Sequence, residues 1–318
     1  MLKSNLPTIS IVTPSYNQGE YLEETICSVL DQQYANLEYI IIDGGSSDQS
    51  VEIIKKYQKH LTYWVSEPDK GQSEALNKGL QKCTGDIFNW INSDDYLERG
   101  ALHKIAEAFI YNPNALQVCG FCRIFDQNSL DTILLHRSEL FSSTEKTIVQ
   151  EKINQQGSFY KLSVVKELGL LNNTLNCVMD LELWFKFLCK YGQEKIVLID
   201  DLLAHFRMHT HSKTSELEKT FRIEANGLFF ELIKQLNSTH PYLKHFSCNR
   251  KYQTNLWNKD YLNCEVFYDE VAIQNFFDFY QTRNYLACRR ALKSLIKNDK
   301  IPFNKHFVRI ILKIYLGI

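Results

Sequence analysis

The chain has 318 residues, 44% hydrophobic and 23% charged, with a formal net charge of -1. This is the composition of a folded protein, long enough for one large α/β domain with an appendage, and it excludes general disorder and a broadly electropositive, nucleic-acid-binding surface. The nine cysteines are scattered through apolar contexts and read as reduced core residues; Cys119-Gly-Phe-Cys122 lacks a second pair at zinc-ribbon spacing and reads as strand packing. No apolar run is long enough to span a bilayer, and Met1 to Pro7 hold no signal-peptide core, so a soluble, cytoplasmic protein is expected.

In chain order, Thr8 to Thr13 predicts a strand that Pro14-Ser-Tyr16-Asn17-Gln-Gly19 ends as a turn. Leu22, Ile26, Val29 and Leu30 give Glu20 to Gln33 helical spacing. Leu37 to Ile42 predicts a second strand, ending at Asp43-Gly-Gly-Ser-Ser-Asp48, where Asp48 can cap a helix through Tyr57. Thr62 to Val65 predicts a third strand, followed by Glu67-Pro-Asp69-Lys70-Gly71 and a helix over Gln72 to Lys82. The apolar run Ile87 to Ile91 predicts a fourth strand that flows into Asp94-Asp95.

Four strand-helix alternations imply a largely parallel sheet, so the turns around Asn17, Asp43, Asp69 and Asp94-Asp95 should emerge at one edge, where such sheets bind ligands. Paired acids there are either a solvated turn or a site for a hard cation such as Mg²⁺ or Mn²⁺ bridging to phosphate. The dinucleotide Gly-x-Gly-x-x-Gly fingerprint and the Gly-x-x-x-x-Gly-Lys phosphate loop are both missing, so phosphate charge would be neutralised by a metal. Residues 13 to 20 contain no Arg or Lys, which disfavours a nucleotidyltransferase.

Together, Thr-Ile-Ser-Ile-Val-Thr-Pro-Ser-Tyr-Asn at 8 to 17, Ile-Asp43-Gly-Gly-Ser-Ser-Asp48, Asp69-Lys-Gly71 with Asn77-Lys-Gly79, and Asn-Ser-Asp94-Asp95 resemble the nucleotide-sugar half of family 2 glycosyltransferases. The resemblance implies the A-type glycosyltransferase fold, a mixed, mostly parallel sheet with helices on both faces, followed here by a helical C-terminal region. It implies that Thr13, Pro14, Tyr16, Asn17, Asp43, Asp69, Lys70, Asn77 and Asp94 bind the nucleotide-sugar, and that Asp95 with Asp94 forms a DxD-like metal site for Mn²⁺ or Mg²⁺.

Further along, Gly100 to Tyr111 predicts an amphipathic helix, and Gln117 to Asp126 with Thr132 to His136 predict two antiparallel strands. Glu139 to Gln156 is polar and reads as a mobile loop over the acceptor side, and Ser163 to Leu168 as a short helix. Leu183, Trp184, Phe187 and Leu188 define a buried helical face that sets Asp180 at a helix start, as an N-cap or a functional acid. Family 2 enzymes carry an acidic pair before such a Leu-Trp helix, so the resemblance implies that Asp180 is the catalytic base, with Glu182 a lesser candidate because Met179 replaces the usual Glu. After a strand at Ile196 to Ile199, Arg207-x-His209-x-x-Ser212 is similar to the family's closing motif. That similarity implies that Arg207 meets the diphosphate and His209 the metal, with Lys213 as a further cation; His205 and His211 read as packing or surface residues.

The resemblance covers about two thirds of the chain and implies a division into a catalytic domain, 1–214 (nucleotide-sugar half 1–98, acceptor half 99–214), and an aromatic-rich helical region, 215–318. The expected activity is inverting transfer from a nucleotide-sugar, most naturally a UDP-sugar, to a glycan or lipid-linked glycan acceptor, as in bacterial surface-polysaccharide assembly such as O-antigen or lipopolysaccharide. The rival is a non-catalytic sugar-nucleotide-binding protein. Lys305, Arg309 and Lys313 recur every fourth residue among apolar neighbours, which predicts a terminal helix that either lies on the inner surface of an anionic membrane or packs on the upstream helices.

Overall fold

The computed structural model describes residues 6–210, 212–244, 259–297 and 305–316. Its first half contains the four expected strands, β1 (Ile9–Ser15), β2 (Leu37–Asp43), β3 (Tyr63–Ser66) and β4 (Ile87–Trp90), parallel in the order β3-β2-β1-β4. Successive strand side chains point to opposite faces, so β2 feeds both layers: Ile40 and Ile42 pack on one side, Tyr39 and Ile41 on the other. Helices α1 (Leu22–Leu30) and α2 (Ser50–Tyr57) cover the second face, and α3 (Gln72–Lys82) the first. On α3, Gly79 packs so close to β1 that a Cβ there would lie 2.5 Å from Val12. All four strands therefore end at one edge, as the alternation predicts.

The second half extends the sheet with β5 (Tyr96–Leu97), β6 (Gln117–Asp126), β7 (Thr132–His136), β8 (Ser158–Lys161) and β9 (Ile196–Met208), interleaved with α4 (Ala101–Tyr111), α5 (Thr144–Gln150), α6 (Leu162–Glu167) and α7 (Met179–Tyr191). β4 pairs antiparallel with β8, β8 with the start of β6, and β6 parallel with β9; β7 pairs with the end of β6. The sheet is thus mixed, and parallel across β1 to β4.

Two sequence expectations are corrected here. The polar segment Glu139 to Gln156 is not a loop throughout: Ser143 caps α5 by accepting the Lys146 N–H at 3.2 Å, and Thr147, Ile148 and Val149 are buried. Its polarity is spent on tertiary bonds, as when Glu145 accepts the Asn263 N–H at 2.7 Å. The strand expected at Ile196 to Ile199 continues to Met208, because the acids Asp200 and Asp201 fall where the β6–β9 register shifts and need not enter the core.

The expected helical C-terminal region comprises α8 (Lys213–Glu216), α9 (Glu218–Leu236), α10 (Cys264–Gln281), α11 (Tyr285–Lys297) and α12 (Lys305–Leu316). On α12, Phe307, Ile310 and Ile314 are buried with Phe276, Leu292 and Leu295 of α10 and α11, while Arg309 and Lys313 are exposed. The apolar side of the terminal helix is thus turned to the protein. Among the described residues no helix is long and apolar enough to cross a membrane. The eight described cysteines form no disulfide, and Cys119 and Cys122 are both buried in β6.

Candidate active site

A cavity of about 850 Å³ opens at the strand ends, within the size range of small-molecule sites. Pro14 and Tyr16 at the end of β1, Gly44 and Gly45 after β2, Asp69 and Gln72 near α3, and Trp90, Asn92 and Asp94 at the end of β4 form its first wall. Gln155, Gln156, Asn176, Asp180 and Lys213 face them from the second half.

The first wall is assembled by polar groups that fasten its loops together. Asp43 is fully buried: its carboxylate accepts Gly45 N–H at 3.2 Å, Ser46 N–H at 2.9 Å, Ser46 Oγ at 2.5 Å and Ser66 Oγ at 2.7 Å. Asn17, at φ 52°, which Asn tolerates, donates its N–H to Ser46 Oγ at 2.8 Å and accepts Ser47 N–H at 2.9 Å, fastening the first loop to the second. Gly44 has its own reason: a Cβ there would meet Asp69 Oδ2 at 2.8 Å. Only a glycine leaves Asp69 in place.

At the end of β4 the two acids part company. Asp94 lines the cavity, and its Oδ2 lies 3.1 Å from His209 Nε2, just beyond β9. Asp95 is fully buried and accepts Arg207 N–H at 3.0 Å, Asn92 Nδ2 at 3.0 Å and Gln156 Nε2 at 3.1 Å. Burial, and then the charge of Asp94, hold the Asp95 carboxyl well above the ordinary aspartate range. Arg207 is likewise structural: Nε donates to the Asp94 carbonyl at 2.9 Å, Nη2 to Glu24 at 2.6 Å and Nη1 to Gln127, and the guanidinium lies over the Tyr21, Tyr96 and Phe125 rings.

Asp180 occupies the first turn of α7 and accepts the Leu181 N–H at 2.9 Å; no other side chain among the described residues donates to it. Burial raises its carboxyl above the ordinary aspartate value, with the Leu181 bond acting against the shift. The loop before it is pinned from the helical region: Glu224 of α9, itself buried, accepts Asn176 N–H at 3.0 Å and Cys177 N–H at 2.8 Å. Lys213 Nζ donates to Gln72 Oε1 at 2.7 Å and the Asn176 carbonyl at 2.6 Å, spanning the cavity from one half to the other. Among the described residues the lining thus holds three acids, Asp69, Asp94 and Asp180, and one cation, Lys213.

The donor set fits a hard divalent ion. Two ligands at about 2.1 Å on adjacent octahedral positions stand about 3 Å apart, and the separation of Asp94 Oδ2 from His209 Nε2 is 3.1 Å. Among the described residues no cluster of three or more His, Cys, Asp or Glu side chains could enclose a metal by itself. Mg²⁺ is commonly held by one or two carboxylates, with phosphate and water completing the shell.

The sequence pattern described as Glycosyl transferase family 2 matches residues 10–168, half of the chain. The chain belongs to glycosyltransferase family 2. An uncharacterized glycosyltransferase of Rickettsia prowazekii is 26% identical over 307 residues, covering 91% of this chain and 94% of its own. The putative teichuronic acid biosynthesis glycosyltransferase TuaG of Bacillus subtilis is 34% identical over 120 residues, covering 36% of this chain and 47% of its own. Among solved structures, Staphylococcus aureus TarS residues 1–349 in complex with UDP-GlcNAc superposes with a TM-score of 0.58 at 16% identity, covering 94% of this chain and 97% of that one. The mannosyltransferase PcManGT of Pyrobaculum calidifontis, in complex with GDP-Man and Mn²⁺, gives 0.55 at 14% identity, covering 99% and 82%. These likenesses give the enzyme the A-type glycosyltransferase fold.

Of the residues singled out in the sequence of this glycosyltransferase, Pro14, Tyr16, Asp69, Asp94 and Asp180 line the cavity. Thr13, Asp43, Asp95, Arg207 and His209 are buried outside the lining, Thr13 bonded to the Tyr39 hydroxyl at 3.1 Å, and Asn17 is exposed outside it. Asn77 is turned away: its amide holds Leu171 and Asn173 against α3. Lys70 is exposed and outside the lining, Glu182 is buried in an ion pair with Lys186, and His205 is buried against Glu98 at 2.8 Å. His211 lies outside the described residues. Sequence reasoning missed Gln72, Gln155, Gln156 and Glu224, uncharged amides and a helix acid whose roles depend on long-range placement.

Proposed function

We propose that this family 2 glycosyltransferase is an inverting enzyme that takes its sugar from a nucleotide-sugar, most naturally a UDP-sugar, and gives it to a hydroxyl of a glycan or lipid-linked glycan. The observation that carries the reading is the position of Asp180: a carboxylate made more basic by burial, at the edge of a cavity whose opposite wall bears Asp69 and Asp94. The nucleotide lies along Pro14, Tyr16, Gly44 and Asp69, with the diphosphate toward Asp94. Asp43, Asn17 and Asp95 act by holding that wall, not by touching the donor. A divalent cation, Mn²⁺ or Mg²⁺, held by Asp94 and His209 would supply positive charge to the departing diphosphate.

Transfer is then one in-line displacement. The acceptor oxygen bonds to the anomeric carbon, the bond from that carbon to the diphosphate oxygen breaks, and the acceptor proton passes to Asp180. The Lys213 ammonium, at the cavity wall, adds a second positive charge near the leaving group. Calorimetry with nucleoside diphosphates, with and without Mn²⁺, and a screen of nucleotide-sugars for metal-dependent hydrolysis test the reading. It predicts one nucleotide whose affinity rises with the cation; equal affinity without it would refute the role given to Asp94 and His209.

A further inference from the structure

A smaller cavity of about 180 Å³ adjoins the donor cavity and shares Asp180, Gln155, Gln156, Phe206 and Thr214 with it. Its own walls are Cys122, Ile124, His136, Ile153 and Asn154. The volume is that of roughly six water molecules, which suits one pyranose-sized unit and is too small for two. Among the described residues Asp180 is the one carboxylate in its lining, and no Lys or Arg lines it. Burial lowers the His136 imidazole from its ordinary value, so at neutral pH that ring meets a ligand as a neutral hydrogen-bonding group. Nothing in these walls neutralises an anion; they suit an uncharged polyol.

The walls also lead somewhere. In the β6–β7 hairpin Cys122 stands opposite His136 and Ile124 opposite Leu134, and because alternate residues share a face, all four lie on the cavity side. Leu134 is 50% exposed, and Ile133 and Leu135 on the other face of β7 are 58% and 52% exposed. β7 pairs with β6 and with no second strand among the described residues. An edge strand of exposed apolar residues is a feature that soluble proteins avoid unless something covers it. Here the apolar strip begins at Ile124, a wall of the cavity itself.

Resting on the reading of Asp180 as base, we propose that the small cavity is the acceptor subsite, that it takes one uncharged saccharide unit, and that an apolar group attached to that unit runs from Ile124 over Leu134 to the hairpin edge. The acceptor is thus amphiphilic, a sugar on a lipid. Continuity of the strip with the cavity selects this occupant. A second copy of the chain paired along β7 would cover Leu134 and close the route.

The test uses the full chain with donor and Mn²⁺, and neutral hexoses offered as paired methyl and octyl glycosides alongside the matching uronates. Octyl glycosides should show a KM about 10-fold below their methyl partners, the effect of burying fewer than two methylenes. Leu134→Ser should erase that difference and leave nucleoside diphosphate affinity unchanged. An octyl glycoside bearing a diazirine on its alkyl chain should label residues 122–136, a readout independent of turnover. Equal KM values for the pair, equal use of uronates, labelling elsewhere or none, or a dimer that Leu134→Ser dissociates would overturn the proposal. If metal-dependent donor binding also fails, the fault lies in the donor reading; if it survives, only the acceptor assignment falls.

Discussion

His209 Nε2 stands 3.1 Å from Asp94 Oδ2 although 115 positions separate the two residues. The juxtaposition follows from β9, which pairs with β5 immediately after the acids and delivers His209 beside them. If the pair holds the cation, Asp94→Asn and His209→Ala should each weaken Mn²⁺-dependent nucleotide binding by about 10-fold or more, at least the scale of losing a hydrogen-bond partner behind a metal ligand. Metal-free affinity should stay as it was. Calorimetric titration at several Mn²⁺ concentrations reads both quantities, and an unchanged metal dependence in either variant would show that the pair is merely a hydrogen bond.

Asp95 should behave differently from its neighbour. Removing its carboxylate strands the Arg207 N–H, Asn92 Nδ2 and Gln156 Nε2 donors in a buried setting, and each orphaned group costs about 1–3 kcal/mol. Asp95→Ala should therefore lower folding stability by about 3 kcal/mol, visible as a lower denaturation midpoint in urea. Asp94→Ala, at the cavity wall, should change it little.

That division marks what the sequence could and could not tell. Strand-helix alternation located the edge where Asp94, Asp69 and Tyr16 emerge, because period and turn chemistry are local properties. It could not distinguish Asp94 from Asp95, since facing the cavity or facing Arg207 is decided by β9, more than a hundred residues later. Asn77 was misleading for the same reason: one polar residue on a helix looks alike whether it meets a ligand or, as here, the Leu171 backbone. Gln156 and Glu224 gave no local signal at all, because their bonds reach residues 61 and 47 to 48 positions away.

For Asp180 the raised carboxyl fixes the sign of a pH effect. A base of raised pKa stays protonated to higher pH, so the acid limb of kcat/KM should lie above the ordinary aspartate value of 3.8. Asp180→Asn should remove transfer by about 10²-fold or more while nucleotide binding survives. Stability runs the other way: a carboxyl whose folded pKa exceeds its unfolded one stabilises most below the unfolded value and loses that contribution as pH rises through the folded one. Asp180→Asn should accordingly melt above the wild type at pH 7, the difference closing near pH 3.

Glu224 lies outside the segment matched by the family pattern, yet its carboxylate orders the Asn176 and Cys177 backbone just before Asp180. Glu224→Gln keeps an acceptor but loses the charge-assisted character of the bonds to the Asn176 and Cys177 N–H groups. If Asp180 is the base, the expected result is a fall in kcat with nucleotide affinity preserved, because Asp180 is displaced and the Pro14 to Asp69 wall is not. A parallel loss of nucleotide affinity would instead mean that the whole cavity had collapsed.

The last prediction concerns α12, whose Phe307, Ile310 and Ile314 are buried against α10 and α11, with the Phe307 ring 4.9 Å from that of Phe276. Burying each such side chain contributes about 1.5–3 kcal/mol, so a chain ending at Asp299 should lose several kcal/mol from its C-terminal helices and melt earlier. Arg309 and Lys313 remain exposed beside Leu312 and Tyr315, 45% and 46% exposed, on the opposite side of the helix. Each basic residue near an anionic leaflet is worth on the order of 1 kcal/mol, too little to hold the protein there unaided. Sedimentation with anionic vesicles should therefore show weak binding that salt abolishes, and Arg309→Gln with Lys313→Gln should remove it without changing the melting temperature. Strong, salt-resistant binding would mean that α12 leaves its packed position to enter the bilayer surface.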